Sequence, residues 1–372
     1  MRNVGLGRLR DGLAPTPPMG WNSWNRFQAT VDERLIRETA EAMVETGMRE
    51  AGYRYVVIDD GWVARARDGS GHLVADGDRF PGGIAALAEH VHSVGLRFGI
   101  YTDAGTATCE GLPGSFGYEF RDARRFASWG VDYVKVDWCH TDGLGARTQY
   151  LKWSAAFLAA GRPMVLSICE WGRHRPWEWA GEVGHLWRTC WDIQDSWDSL
   201  TAVLDKQRGI AGHAGPDGWN DPDMLEVGNG GLTLDACRAH FSLWCVLAAP
   251  LMAGNDLRAM NDDVRSILTA PEVIAVDQDP LGRQGDLLRS SGGSEVWARE
   301  LEGGSRAVVL LERGPVTREI GVSWPELGWD PAAEVTVRDL WERADLGAFR
   351  EGFATPVPAH GARMLRLTPK GS

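Results

Sequence analysis

Short apolar segments and longer amphipathic segments alternate along the first 270 residues. The short segments are rich in β-branched and aromatic residues, which favours strands, and the longer ones repeat apolar positions at helical spacing. The predicted strands lie near residues 18–22, 54–60, 96–103, 132–137, 163–169, 186–192, 217–221 and 249–254. The predicted helices span 32–49, 84–94, 120–129, 148–160, 197–210, 233–247 and 262–269, with Asp32 and Thr233 as expected N-caps. This alternation predicts an α/β fold, a (β/α)8 TIM barrel.

The pattern changes after about residue 285. Short apolar or alternating segments follow at Ser294–Arg299, Arg306–Leu311 and Arg363–Leu367, separated by turns rich in glycine, serine and proline. Such segments are typical of an antiparallel β-sandwich. We therefore predict a catalytic barrel at 1–285 and a small C-terminal β-sandwich domain at 286–372, a division that suits a chain of 372 residues.

Charge and composition narrow the classes of partner. The formal net charge of −12 argues against nucleic acid and anionic membranes, which attract lysine and arginine. No apolar run reaches the roughly 18 residues of a membrane helix. The first 18 residues show no apolar core of a secretory signal, so the expected location is cytoplasmic, or secreted if a signal was removed. The preference for arginine over lysine favours a bacterial source, and the oligomeric state stays open.

The segment Tyr133–Cys139 combines apolar strand character with two charges. Because strand side chains alternate between faces, Tyr133, Lys135 and Asp137 share one face. Buried charges are costly unless they are paired or used in chemistry, so a structural ion pair and a functional site are both open. Carboxylates also follow other predicted strands: Asp59, Asp60, Asp103, Glu170, Asp192, Asp221 and Asp223.

These strand-end carboxylates are expected to converge at one rim of the barrel, where the catalytic groups of such barrels lie. A rim of this kind suits a divalent-metal site or glycoside hydrolysis, which needs two carboxyl groups in different protonation states. The sequence lacks metal-ligand and nucleotide-binding motifs, so we expect no metal and no cofactor. Many of the eighteen tryptophans adjoin polar residues, an arrangement that suits sugars.

Eight motifs, in order between residues 14 and 285, make the chain resemble glycoside hydrolase family 27, which includes the α-galactosidases. They are Pro18–Trp24, Tyr55–Trp62, Phe98–Asp103, Tyr133–Cys139, Cys169–Gly172, Trp187–Ile193, Gly218–Leu225 and Asp277–Gly282. The residues after 285 match that family in position and texture more than in motif.

The resemblance implies a role for each motif residue. Asp137 would be the nucleophile and Asp192 the general acid/base. Asp59 and Asp60 would bind the 4- and 6-hydroxyl groups of the sugar, and Lys135 a neighbouring hydroxyl. The remaining implied residues are Glu170, Arg188 and Asp223 on the side of the 2- and 3-hydroxyl groups, Trp24, Tyr101 and Met224 around the pocket, and a disulfide between Cys109 and Cys139. Cys169, Cys190, Cys237 and Cys245 lie in apolar segments and are predicted to be buried free thiols.

Simple electrostatics fits these roles. Lys135 beside Asp137 would favour the ionised carboxylate of a nucleophile. The apolar neighbour Trp191 would raise the pKa of Asp192, as an acid requires. A separation of about 5–5.5 Å between the two carboxyl groups would give retention. Two departures from the family pattern are Trp191 itself and the basic run Arg173–Arg175, both of which could affect the leaving-group side.

We therefore predict a retaining α-galactosidase that acts on a galactosyl oligosaccharide or glycoconjugate. The alternatives are a β-L-arabinopyranosidase or an α-N-acetylgalactosaminidase of the same family. A catalytically silent sugar-binding protein is the alternative from another class, and it would lack Asp137 or Asp192, both of which are present.

Overall fold

The computed structural model of the protein describes residues 11–370; most of the N-terminal stretch on which the prediction about a secretory signal rests lies outside this range. Eight parallel strands form one sheet in the order β7-β6-β5-β4-β3-β2-β1-β8. The sheet closes on itself, because Leu225, just after β7, bridges Ala253 of β8 and donates its N–H to Met252 O at 2.8 Å. The strands are β1 Met19–Asn22, β2 Tyr55–Ile58, β3 Arg97–Asp103, β4 Tyr133–Asp137, β5 Val165–Cys169, β6 Leu186–Arg188, β7 Trp219–Asp221 and β8 Leu251–Ala253.

Alternation along each strand separates the inside of the barrel from its helix-covered outside. In β4, Tyr133 packs in the barrel interior, whereas Val134 and Val136 pack in the layer between strands and helices. Strands β1 and β2 approach closely at Gly20, where a Cβ would lie 2.5 Å from the backbone carbonyl oxygen of Tyr55. The predicted shared face of Tyr133, Lys135 and Asp137 is confirmed, and it points into the barrel.

The helices surround the barrel, and Asp32 and Thr233 are the predicted N-caps, accepting from Leu35 N and Ala236 N. The predicted helix 32–49 divides because Gly47 adopts a positive φ of 81°, and the predicted strand 186–192 ends at Arg188. The helices are α1 Trp24–Phe27, α2 Glu33–Glu45, α3 Met48–Ala51, α4 Gly83–Ser93, α5 Glu119–Ser128, α6 Ala146–Ala160, α7 Trp197–Asp205, α8 Leu234–Val246, α9 Asp262–Leu268 and α10 Pro271–Asp277.

The C-terminal part is the predicted antiparallel β-sandwich. A six-stranded sheet in the order β14-β13-β16-β11-β10-β9 packs on the two-stranded sheet β12-β15. Val308, Ile320 and Leu365 belong to the apolar core between the two sheets. The strands are β9 Asp286–Ser291, β10 Ser294–Glu300, β11 Arg306–Glu312, β12 Arg318–Ser323, β13 Val335–Asp339, β14 Ala344–Phe349, β15 Gly352–Val357 and β16 Gly361–Pro369. The exact domain boundary at 285/286 stays a prediction.

The other face of the six-stranded sheet packs on the barrel. Trp297 and Met364 from this face share one continuous core with α8. Buried Arg299 donates through Nη1 to the carbonyl oxygens of Cys245 and Asp277, at 2.9 and 3.2 Å, and so links the sheet to the ends of α8 and α10. Within residues 11–370, no helix is long and apolar enough to cross a membrane.

Candidate active site

The lysine of β4 is paired inside the barrel. Lys135 Nζ donates to Asp59 Oδ2 at 2.8 Å, and Asn22 Nδ2 donates to the same oxygen at 2.7 Å. The sequence predicted that Lys135 acts on the carboxylate of Asp137, two residues along the strand. The ion pair instead joins β4 to the end of β2, because the curvature of the barrel brings inward-facing side chains of different strands together.

Asp137 ends β4 as a buried carboxyl group. Its Oδ1 accepts from the backbone N–H of Trp138 at 2.9 Å. Burial raises the pKa of Asp137 to about 6; the charge of Lys135 and a hydrogen bond with Cys169 act in the opposite direction, and the charge of Asp192 raises it further. The expected effect of Lys135 is present, but desolvation outweighs it.

A hairpin after β3 closes one side of the pocket around Asp60. Its tip donates the N–H of Glu110 to Asp60 Oδ2 at 3.1 Å, and the disulfide predicted between Cys109 and Cys139 joins this tip to the residues after β4. Burial raises the pKa of Asp60 to about 6. Tyr101, fully buried below the tip, lies with its hydroxyl 3.7 Å from Cys109 Sγ. The four remaining cysteines are buried and free, as predicted.

Removal of the disulfide is expected to destabilise the protein. The change Cys109→Ser should lower the free energy of unfolding by about 3–4 kcal/mol, because the bond closes a loop between positions 30 residues apart and restricts the unfolded chain. The measurement is the urea midpoint of oxidised protein, with Cys237→Ala, a change at a buried free thiol, as control. This expectation would be contradicted if Cys109→Ser had the same urea midpoint as the unsubstituted protein. It would also be contradicted if dithiothreitol did not change the urea midpoint of the unsubstituted protein.

Arg188, the last residue of β6, connects two carboxylates at the rim. Its Nη2 donates to Asp192 Oδ1 at 2.9 Å, and its Nη1 lies 3.0 Å from Asp223 Oδ1. Asp223 Oδ2 accepts from the N–H of Ile193, and burial raises the pKa of Asp223 to about 6. The guanidinium is almost fully buried, whereas the Asp192 side chain is 50% exposed. Of the two carboxylates that Arg188 binds, Asp192 is therefore the one that solvent can reach.

The expectation that Trp191 raises the pKa of Asp192 is wrong. The Trp191 side chain is 53% exposed, and Lys206 Nζ lies 4.8 Å from its ring centre, so the ring packs towards the end of α7 instead of covering the carboxyl group. Partial burial acts to raise the pKa of Asp192, but the charges of Arg188 and Lys135 and the hydrogen bond from Arg188 lower it below its usual value. The neighbour in space, not the neighbour in sequence, determines this pKa.

Glu170 lies at the turn that follows β5. Its side chain is fully buried, and its Oε2 accepts from the backbone N–H and from Nδ1 of His174, both at 2.7 Å. The turn requires positive φ angles of 57° at Trp171 and 73° at Gly172. A Cβ at Gly172 would lie 2.2 Å from the carbonyl oxygen of Thr189, so only glycine allows the chain to pass there.

Residues that the sequence did not single out support the pocket. Asn22 fixes Asp59, as described above, and Glu226 accepts from Asn25 Nδ2 at 2.7 Å, which links the chain after β7 to the helix that begins with Trp24. Met224, a predicted pocket residue, is almost fully buried in the same segment after β7. Burial raises the pKa of Glu226 to about 7. The motifs contained Asn22 and its neighbours, but their sequence gave no sign of these long-range bonds.

The strand-end carboxylates of Asp103 and Asp221 also accept hydrogen bonds from backbone N–H groups of the rim. Asp103 accepts from the N–H groups of Gly105 and Cys139 at 2.6 and 2.9 Å, and Asp221 accepts from the N–H of Asp223 at 2.9 Å. These two therefore shape the loops of the rim. The structure gathers the predicted site residues at the C-terminal end of the barrel, where the charge of half-exposed Asp192 acts on the buried carboxyl group of Asp137. Such a pair can perform nucleophilic attack and proton transfer.

Comparison with known proteins agrees with this geometry. The family profile described as "Alpha galactosidase A" matches residues 16–279, and that described as "Alpha galactosidase C-terminal beta sandwich domain" matches residues 291–367. Alpha-galactosidase 2 of Arabidopsis thaliana is 47% identical over 97% of this chain and 91% of its own length.

Solved structures give the same result. The crystal structure of alpha-galactosidase I from Mortierella vinacea superposes with a TM-score of 0.94 at 36% identity, covering 96% of this chain and 98% of that one. The α-galactosidase of Saccharomyces cerevisiae, solved with raffinose, has a TM-score of 0.90 at 30% identity, covering 96% and 99%. This chain belongs to the α-galactosidase family of glycoside hydrolases, family 27.

Proposed function

We propose that this protein is a retaining α-galactosidase in which Asp137 is the nucleophile and Asp192 the general acid/base. The observation that carries the assignment is the contrast between the two carboxyl groups. Asp137 is buried at the end of β4, where only a bound substrate could reach it, and Asp192 is half exposed at the mouth of the same rim. A nucleophile is expected inside the pocket, and an acid is expected where the leaving group departs.

The reaction would proceed in two steps. In the first, a carboxylate oxygen of Asp137 attacks the anomeric carbon, the glycosidic bond breaks, and the departing oxygen takes the proton of Asp192. In the second, Asp192 removes a proton from a water molecule, whose oxygen attacks the anomeric carbon and releases Asp137 as a carboxylate. Two inversions give net retention. This mechanism predicts the separation of about 5–5.5 Å between the carboxyl groups.

The remaining residues would bind the sugar. Asp59 and Asp60 provide acceptors for the 4- and 6-hydroxyl groups, and Lys135, held by Asp59, provides a donor beside them. Glu170, Arg188 and Asp223 would surround the 2- and 3-hydroxyl groups. Trp24, Tyr101 and Met224 would form the apolar walls against which the C–H face of galactose packs.

The natural substrate would be a galactosyl oligosaccharide or glycoconjugate. The yeast relative solved with raffinose supports this class, because raffinose carries a terminal α-linked galactose. The half-exposed position of Asp192 leaves the leaving-group side open to solvent, which suits a substrate that extends beyond its galactose.

Galactose is expected to be the preferred sugar. We expect the highest kcat/KM for an aryl α-galactoside, ahead of the β-L-arabinopyranoside and the α-N-acetylgalactosaminide. The arabinoside lacks the hydroxymethyl group that Asp60 would bind, and a site built to hydrogen-bond a hydroxyl group penalises an analogue without it. The fully buried Glu170 leaves little room for a 2-acetamido group. The measurement is kcat/KM for the three glycosides on one enzyme preparation.

The same preparation tests the stereochemistry, because proton NMR during hydrolysis shows whether α-galactose is the first product. A rival glycoside with the highest kcat/KM would refute the sugar preference. β-Galactose as the first product would refute the retaining mechanism, and no hydrolysis of any of the three would favour the sugar-binding alternative.

A further inference from the structure

The basic run Arg173–Arg175 has three side chains with three different environments. Arg173 packs with its guanidinium carbon 4.5 Å from the ring centre of Trp171, and Arg175 pairs with Glu178 near the surface. His174 is half exposed, and its ring donates to Glu170 and lies edge-on to Trp138 at a centroid distance of 5.8 Å. The histidine is therefore the member of the run whose ring bonds directly to a predicted site residue.

The two oxygens of the Glu170 carboxylate differ in their bonding. Oε2 accepts two hydrogen bonds from His174, one from its backbone and one from its ring. Oε1 is fully buried and has no hydrogen-bond partner within residues 11–370. An unpartnered buried carboxylate oxygen is costly and is found where a ligand supplies the missing donor.

We propose that His174 is a positioning residue, which binds Oε2 of Glu170 so that Oε1 is turned to accept a hydroxyl group of the bound galactose. The inference rests on the proposed function, because it assumes that galactose occupies the pocket. The restraint is direct: two donors four residues along the chain fix Oε2, which restricts rotation of the carboxylate and leaves Oε1 as the oxygen without a partner among residues 11–370.

His174 also influences the ionisation of Glu170. Burial raises the pKa of this carboxyl group, whereas the bonds and charge of His174, and the charge of Arg173, lower it. Loss of the imidazole would therefore raise the pKa of Glu170 further. Since the ionised form is the stronger hydrogen-bond acceptor, binding of the sugar should then weaken first on the acid side of the profile.

The test compares variants on substrates that differ by one hydroxyl group. His174→Ala should raise KM for an aryl α-galactoside about tenfold, corresponding to one lost hydrogen bond to a charged group, with a smaller change in kcat. The loss should be greatest at low pH. The 2-deoxy and 3-deoxy glycosides are the comparison substrates. On the one that lacks the hydroxyl group bound by Glu170, His174→Ala and the unsubstituted protein should have nearly equal KM values.

Two further variants separate positioning from folding. His174→Asn places an amide N–H near the position of Nδ1 and should restore most of the affinity, whereas Arg175→Ala removes an exposed charge from the same run and should change nothing. Thermal unfolding of each variant reports on the fold.

The role of His174 would be overturned if His174→Ala raised KM equally for the α-galactoside, the 2-deoxy glycoside and the 3-deoxy glycoside. It would also be overturned if KM for His174→Asn were as high as for His174→Ala. Failure of the proposed function has a different result, because the unsubstituted protein would then not hydrolyse the α-galactoside at all.

Discussion

Replacement of Asp137 by asparagine is expected to abolish hydrolysis while leaving the fold intact. The amide has almost the same shape, and its carbonyl oxygen can still accept from the N–H of Trp138. It cannot attack the anomeric carbon, so the covalent step is lost and kcat for an aryl α-galactoside should fall by about 10⁴-fold or more. The substitution also removes a buried acid whose pKa is raised to about 6, so stability should not decrease.

Added azide provides the positive test for Asp137→Asn. The small anion can enter beside the amide and attack in place of the carboxylate, which should restore part of the turnover and release a galactosyl azide. Asp198→Asn, the same change at an exposed position of α7, controls for the loss of one charge. Activity of Asp137→Asn close to that of the unsubstituted protein would refute the assignment.

Asp192→Ala is expected to discriminate between leaving groups. A saccharide leaving group departs only if it is protonated, whereas a nitrophenolate departs without help, so the loss should be about 10²–10⁴-fold for the former and much smaller for the latter. Gln194→Ala, an exposed position in the same loop, should leave the ratio of the two rates unchanged. Equal losses on both substrates would mean that Asp192 is not the acid.

The pH profile follows from the same two groups. Asp137 has a pKa of about 6 and that of Asp192 is lowered by Arg188, so the first proton leaves the pair at a pH below the usual range of an aspartate and the last near pH 6. The active form carries one proton, which must lie on Asp192. Activity should therefore be highest between these values, fall below the lower one as Asp137 and Asp192 are both protonated, and fall above about 6 as the last proton is lost. In Asp192→Ala the alkaline limb should disappear for an activated aryl glycoside.

This protonation scheme gives Arg188 a second effect. Its charge favours the ionised form of Asp192, whereas burial favours the protonated form of Asp137, so the two shifts oppose the arrangement that the proposed mechanism requires. The bond between Arg188 and Asp223 keeps the guanidinium paired when Asp192 takes up its proton. In the proposed mechanism, Arg188 thus favours release of the proton by Asp192.

Much of the molecule could be predicted from local pattern. The alternation of strands and helices, the switch to an antiparallel sandwich, the caps at Asp32 and Thr233 and the inward face of β4 all follow from periodicity and local bonding. These features depend on residues close together in the chain, which is why the sequence reports them. The cysteine pair came from family resemblance, and the structure confirms it.

The charge interactions of the site could not be predicted from local sequence pattern. The sequence suggested that Lys135 acts on Asp137 and that Trp191 shields Asp192, because these residues are neighbours along the chain. In the folded barrel Lys135 pairs with Asp59, and Trp191 packs near Lys206 while Arg188 holds Asp192. Ionisation depends on burial and on charges within a few ångströms, and the closing of eight strands into a ring determines those distances. The sequence by itself thus determined which carboxylates lie at the rim of the barrel. Only the tertiary structure decided which charged side chain lies next to each of them.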